Sequence, residues 1–151
     1  MKDKYIIAKD IIFLCKKNGY EFNNTKIQKL LYLFVGFCLI NDMNDIYNID
    51  DFCEMWPYGV IFPKVHKKFD SIKDYDGTEI ISVSDQETKK ILEETVKQWG
   101  KISSGSLSAW SRIEGSPWDT LFKEVGRKKW TTKINLDAIK VYFANEVENV
   151  I

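Results

Sequence analysis

A single histidine, three cysteines and 22 acidic residues bound the chemistry that these side chains could perform. A nucleophile needs a nearby base and usually a third group to orient it. His66 is the only histidine available for that role, and it stands among Lys64, Lys67 and Lys68, whose charge opposes its protonation. Its place on a short helix predicts an exposed surface residue rather than a general base. Cys15, Cys38 and Cys53 are odd in number and widely spaced, which suits neither a disulfide framework nor a metal knuckle. One histidine with scattered cysteines builds no conventional zinc site, so reduced thiols, no metal and no cofactor are expected. Carboxylates far apart in sequence can still meet in a fold, but nothing specifically supports an enzyme built on them.

Three further stretches imitate functional motifs and fail on particular positions. Between Asn41 and Asp51, the spacing of Asp42, Asn44 and Asp50 resembles a calcium loop, yet the sixth position is Tyr47 instead of glycine and the twelfth is Cys53 instead of glutamate. A polar surface loop is the reading. Gly100 to Gly105 has the glycine spacing of a phosphate loop, but Ser106 and Leu107 follow where Lys and Ser/Thr are needed, and a helix precedes it where a strand is required. Arg127, Lys128 and Lys129 before Trp130 suggest a nucleic-acid patch, but three charges and one aromatic are few and read as a solvated loop. With 22 basic residues against 22 acidic, the global field gives no attraction to DNA, RNA or anionic lipid.

The elements that must position these residues are mainly helical. The hub is Thr25 to Ile40, where Thr25 and Gln28 read as a capping box. Lys26, Gln28 and Lys29 make its first turn polar, and from Leu30 to Ile40 every residue is apolar, aromatic or glycine, so other elements must enclose this helix. The apolar run is too short for a membrane span. Ile7, Ile11 and Leu14 place a first helix over Asp3 to Lys17, stopped at Asn18-Gly19, and the two should pack as an antiparallel hairpin. The second helix offers no polar face to base edges, so this is not a DNA-reading helix-turn-helix.

From Phe52 to Phe69 the pattern is a short extended segment, a turn at Pro57 to Gly59, and a short helix opened by Pro63 with Val65 and Phe69 inward. Trp56 and Tyr58 flank the turn, and packing against the hairpin is their expected role. Ser71 to Val83 reads as irregular, with room for a minor β-hairpin. Ser84 and Glu87 suggest a capping box for an amphipathic helix running to Gly100; a short helix from Leu107 to Gly115 turns Trp110 inward. Ser116-Pro117-Trp118-Asp119 is a helix opening, with Ser at the cap and Pro at the first helical position. Asn135 caps a last helix carrying Leu136, Ile139, Tyr142, Phe143 and Val147. The expected fold is a compact, mainly α, single-domain bundle over residues 1–151 around a buried central helix at about 25–40. A charged N-terminus interrupted by Lys9 and Asp10 reads as no secretory signal, so a cytoplasmic protein is expected.

Three segments together resemble one family, the Panacea domain, or SocA-like antitoxin domain, of bacteria and phages. They are KIQKLLYLFVGF at Lys26 to Phe37, MWPYGVIFPKVHKKF at Met55 to Phe69, and LSAWSRIEGSPW at Leu107 to Trp118, in the family's order; IKVYF at Ile139 to Phe143 is a weaker fourth. The motif residues are Lys26, Gln28, Lys29, Trp56, Pro57, Tyr58, Gly59, Ser116, Pro117 and Trp118. The resemblance implies a helical domain, not an enzyme, that neutralises a co-encoded toxin by direct binding or delivers it to a protease. The family tends to show Gly-Pro-Val where this chain has Gly59-Val60-Ile61, and a histidine where it has Arg112. Trp56, Tyr58 and Trp130 are the candidate partner-binding residues. The competing expectations are a small nucleic-acid-associated regulator acting through Arg127 to Trp130, a phage accessory protein, or an enzyme using dispersed carboxylates.

Overall fold

The computed structural model describes residues 3–46 and 52–151. These form seven α-helices and a small three-stranded sheet, with 62% of the described residues helical. The first helix, α1, covers Lys4–Lys17; Asp3 caps it by accepting from Tyr5 N, and Gly19 follows with φ +71. α2 covers Asn24–Ile40. Its cap is Asn23, whose side chain accepts from Lys26 N, and not the expected box at Thr25 and Gln28. Gln28 is drawn instead to the backbone of Phe62. At 17 residues, α2 is about 25 Å long, and each residue from Lys26 to Leu39 is buried.

Strands β1 (Glu54–Trp56) and β2 (Gly59–Ile61) pair antiparallel around Pro57-Tyr58, with Met55 opposite Val60 and Trp56 opposite Gly59. A third strand, β3 (Thr132–Lys133), adds to the other edge of β1, giving the order β2-β1-β3. The extended segment and turn expected at Phe52 to Gly59 therefore become a hairpin, while Ser71 to Val83, read as irregular with room for a minor one, contains no strand. There the backbone is held from outside: both Asp10 oxygens accept, from Ile81 N at 2.9 Å and Ser82 N at 2.8 Å.

Helix α3 (Pro63–Ile72) begins at its proline and buries Val65, with Phe69 half-buried. α4 (Gln86–Trp99) is capped by Asp85, which accepts from Thr88 N, one residue later than the expected Ser84 and Glu87 box. α5 covers Ser104–Ser111 and α6 Pro117–Val125. Ser116 caps α6 as its sequence predicts, accepting from Asp119 N. α7 (Leu136–Glu146) is capped by Asn135 and buries Ile139 and Phe143, with Leu136, Tyr142 and Val147 packed against the same core. The look-alike phosphate loop is a helix junction: Gly100 ends α4 and Ser103 caps α5. Of the look-alike calcium loop, Asp42 is exposed and pairs with Lys140 at 3.2 Å, while Tyr47 and Asp50 lie outside the described residues.

The core forms one contiguous cluster around α2, which α1, α4, α5 and α7 all contact. Phe143 fits edge-on against both Tyr32 and Phe37, each with ring centroids 5.4 Å away. Trp110 then joins Tyr32 at 5.8 Å and Trp99 at 5.1 Å. Gly36 makes this docking work, because a Cβ there would overlap the Phe143 ring. Cys15, Cys38 and Cys53 are buried, and no disulfide joins them. No described helix is long and apolar enough to cross a membrane.

Two substitutions test this core. Phe34→Ala empties a fully buried site and should cost about 3–5 kcal/mol. Gly36→Ala should cost about 1–3 kcal/mol by overpacking, although alanine has the better helix propensity. Urea melts measure both; a Gly36→Ala protein as stable as wild type would show that Phe143 is free to retreat.

Candidate functional site

The first turn of α2 is polar in sequence, yet Lys26, Gln28 and Lys29 are all buried. A buried donor or acceptor without a partner costs about 1–3 kcal/mol, so each must find one within the protein. Lys26 Nζ donates to Gly100 O at 2.6 Å, tying α2 to the end of α4. Gln28 makes two bonds to one residue: its Oε1 accepts from Phe62 N at 2.7 Å and its Nε2 donates to Phe62 O at 3.2 Å. This is why Gln28 does not turn back to cap its own helix. Lys29 Nζ donates to Val60 O at 3.0 Å. Two of these three side chains thus end on the backbone of the β1–β2 hairpin or its exit.

The other motif segments arrive at the same hairpin. From α5, Ser108 Oγ donates to Tyr58 O, Ser111 Oγ donates to Ser108 O at 2.8 Å, and Arg112 Nε donates to Ser108 O at 3.2 Å. From α6, Trp118 Nε1 donates to Trp56 O at 2.7 Å. The Trp118 ring stacks on Phe122, with centroids 5.1 Å apart and planes 4° from parallel, and Trp130 closes the group 5.6 Å from Phe122. Gly59 is required between these clamps: its φ is +121, and a Cβ would overlap Ser111 Oγ and crowd the Lys29 side chain. Glycine alone adopts that conformation without strain.

The candidate residues separate accordingly. Lys26, Gln28, Lys29, Gly59, Ser116 and Trp118 hold the site together from beneath; Pro57 is exposed in the turn. Trp56 is half-buried, its Nε1 donating to Glu54 at 2.8 Å and its ring meeting His66 edge-on at 4.9 Å. Trp130 is also half-buried and belongs to the Trp118 and Phe122 group, so it is no free anchor. Tyr58 alone of the three projects freely, with 74% of its surface exposed, and packing against the hairpin is therefore not its role. His66 is exposed as expected, but its Nδ1 lies 2.8 Å from Asn24 Nδ2 and its ring against Trp56, so it braces the hairpin's flank. Arg127, Lys128 and Lys129 are exposed on a single 3-10 turn. Sequence reading missed Ser108 and Ser111. Their signal was present, since serines three residues apart on a short helix share a face that apolar packing alone would not use.

Electrostatically, the unusual group is Lys29. Burial, reinforced by the nearby Arg112 charge, pulls its amine down from the usual 10.5 to about 7. Among the described residues no carboxylate pairs with it. Nothing exposes this amine to a substrate, so its effect is on the hairpin's mounting. Burial also pushes the Cys15 thiol up to about 11 and the Cys53 thiol up to about 12, which keeps both protonated and inert. No group of three or more metal-ligating side chains occurs among the described residues.

These shifts give a pH signature. Between about 7 and 10.5 the folded protein has released the Lys29 proton while the unfolded chain still holds it, so stability from this group is lost as pH falls toward 7. The thiols act oppositely, their contribution being complete below 9.0 and declining above it. Urea melts of wild type should therefore gain about 1–2 kcal/mol relative to Lys29→Met between pH 7.0 and 8.5. Parallel curves for the two proteins would mean that Lys29 does not titrate in its buried site.

No family model, no curated protein and no solved structure matches this chain.

Proposed function

We propose that this protein is a Panacea-like, SocA-like antitoxin that neutralises a co-encoded toxin by direct binding, with the β1–β2 tip as its anchor. One observation carries the reading: of the three segments that bear the resemblance, Met55 to Phe69 forms the hairpin and the other two hold its backbone at Trp56, Tyr58, Val60 and Phe62. A tip held this firmly loses little freedom on binding, which lowers the entropic cost of association. Tyr58 has the character of an interface hot spot, being aromatic, amphipathic and limited to two side-chain torsions. The formal net charge is zero, so partner recognition rests on local contacts around this anchor and not on long-range attraction. Delivery of the bound toxin to a protease uses the same first contact and is a further step of the same reading.

The test is co-expression with each neighbouring open reading frame, scoring growth and co-purification together. One neighbour should be toxic alone and harmless with this protein. Tyr58→Ala should weaken binding by about 2 kcal/mol or more and abolish rescue. Its melt should stay within about 0.5 kcal/mol of wild type, because the side chain is exposed. Rescue without co-purification would point to an indirect or enzymatic mechanism, and absence of toxicity in every neighbour would remove the antitoxin reading.

A further inference from the structure

Helices α6 and α7 flank an open groove of about 720 Å³ whose lining does not include the Tyr58 tip. Its apolar surface comes from Pro117 and Leu121 on α6, Ile134 at its base, and Ala138 and Val141 on α7. Val141 is 60% exposed, an unusual position for a branched apolar side chain in a helix whose other side is core. On α7 the lining recurs as Asp137 and Ala138, Val141 and Tyr142, then Asn145 and Glu146. That spacing of four residues is one helix face followed along its length. On α6, Pro117, Leu121 and Glu124 likewise share a face. Two helix faces meeting at a groove present the geometry that a third helix fills by ridge-into-groove packing.

The rim supplies the chemistry of the occupant. Glu124, Asp137 and Glu146 are exposed around the groove, and Glu124 and Glu146 form no salt bridge with any described residue. The cation on this rim, Lys133, is turned over the Phe52 ring at 3.9 Å. The groove is thus apolar and acidic on a protein whose formal net charge is zero, so its negative field is local. A second copy of the chain is a poor match. Its α3 carries Lys64, Lys67 and Lys68, but the apolar side of that helix, Val65 and Ile72, is buried in its own core.

We propose that this groove docks a cationic amphipathic helix from a partner protein, its apolar stripe on Leu121, Ala138 and Val141 and its Lys or Arg side chains against Glu124 and Glu146. The arrangement is the helix-in-groove mode, in which anchors recur every three to four residues. It holds whether or not the partner at the Tyr58 tip is a toxin.

The probe is a fluorescein-labelled 14-residue peptide of Leu and Lys at helical spacing, titrated with the full chain and followed by anisotropy. Controls are the same peptide with Glu for Lys, and one of identical composition scrambled so that no apolar stripe forms. Saturable binding of the Leu/Lys helix is expected, with both controls at least about tenfold weaker. Val141→Asp and the double variant Glu124→Lys, Glu146→Lys should each weaken binding by about tenfold or more, while Tyr58→Ala leaves it unchanged. All these positions are exposed, and a urea melt of each variant verifies that it remains folded. Equal binding of the scrambled peptide, indifference to the groove variants, or no saturable binding at all would overturn the proposal. So would sedimentation showing that the chain dimerises through this face and that the groove variants are monomeric.

Discussion

Three polar side chains at the start of α2 are buried, and most of the architecture around the hairpin follows from satisfying them. Removing a Lys or Gln head group from water is costly unless a hydrogen bond replaces the lost hydration. Lys26, Gln28 and Lys29 meet that requirement only if Gly100, Phe62 and Val60 are brought to them. The junction between α4 and α5, the middle of β2 and the residue that follows it are thereby located relative to the central helix. Hydrophobic burial alone would not specify these positions, because it is nearly indifferent to direction. The polar turn at the start of an otherwise apolar helix is what gives the packing a unique register.

The opposite end of the core is specified by shape. Gly36 opens a slot in α2 that receives Phe143, and the rings of Tyr32, Phe37 and Trp110 surround it. Tyr32 leaves a polar demand unmet in this group, since its hydroxyl is buried without a hydrogen-bond partner among the described residues. The C-terminal helix and the N-terminal half of the chain are therefore joined through aromatic contacts, while the hairpin is joined through hydrogen bonds.

Much of this was legible in the sequence, and the differences have identifiable physical causes. Apolar periodicity placed α1, α2, α4 and α7, the expected Leu107 to Gly115 helix lies at Ser104–Ser111 instead, and Ser116-Pro117 and Asn135 capped theirs as written, because caps are local. The two caps misplaced by a residue or two, at Asn23 and Asp85, each had a neighbouring Ser or Thr that competed for the role. At α2 the error concealed something larger. Gln28 fits a capping box by spacing, but a tertiary partner at Phe62 takes it, and no local pattern reveals a partner 34 residues away. The third strand was unreadable for a similar reason: two residues, Thr132 and Lys133, extend only because β1 offers an edge. Exposure at Trp56, Tyr58 and Trp130 was equally hidden. Aromatic residues beside a turn carry no sign of which one a neighbouring helix will cover.

The clamps on the β1–β2 hairpin have one property in common: Lys29, Gln28, Ser108 and Trp118 all bond to main-chain atoms of the segment they hold. Main-chain groups are the same for nearly every amino acid, so the mount does not read the identity of the side chain at position 58. Gly59 is the exception, since its φ and its closeness to Ser111 forbid replacement. The tip therefore behaves as a socket with an interchangeable bit. Mutation at Tyr58 changes the exposed tip without disturbing how the hairpin is held; on the proposed antitoxin reading, that separates the evolution of partner choice from the maintenance of the fold.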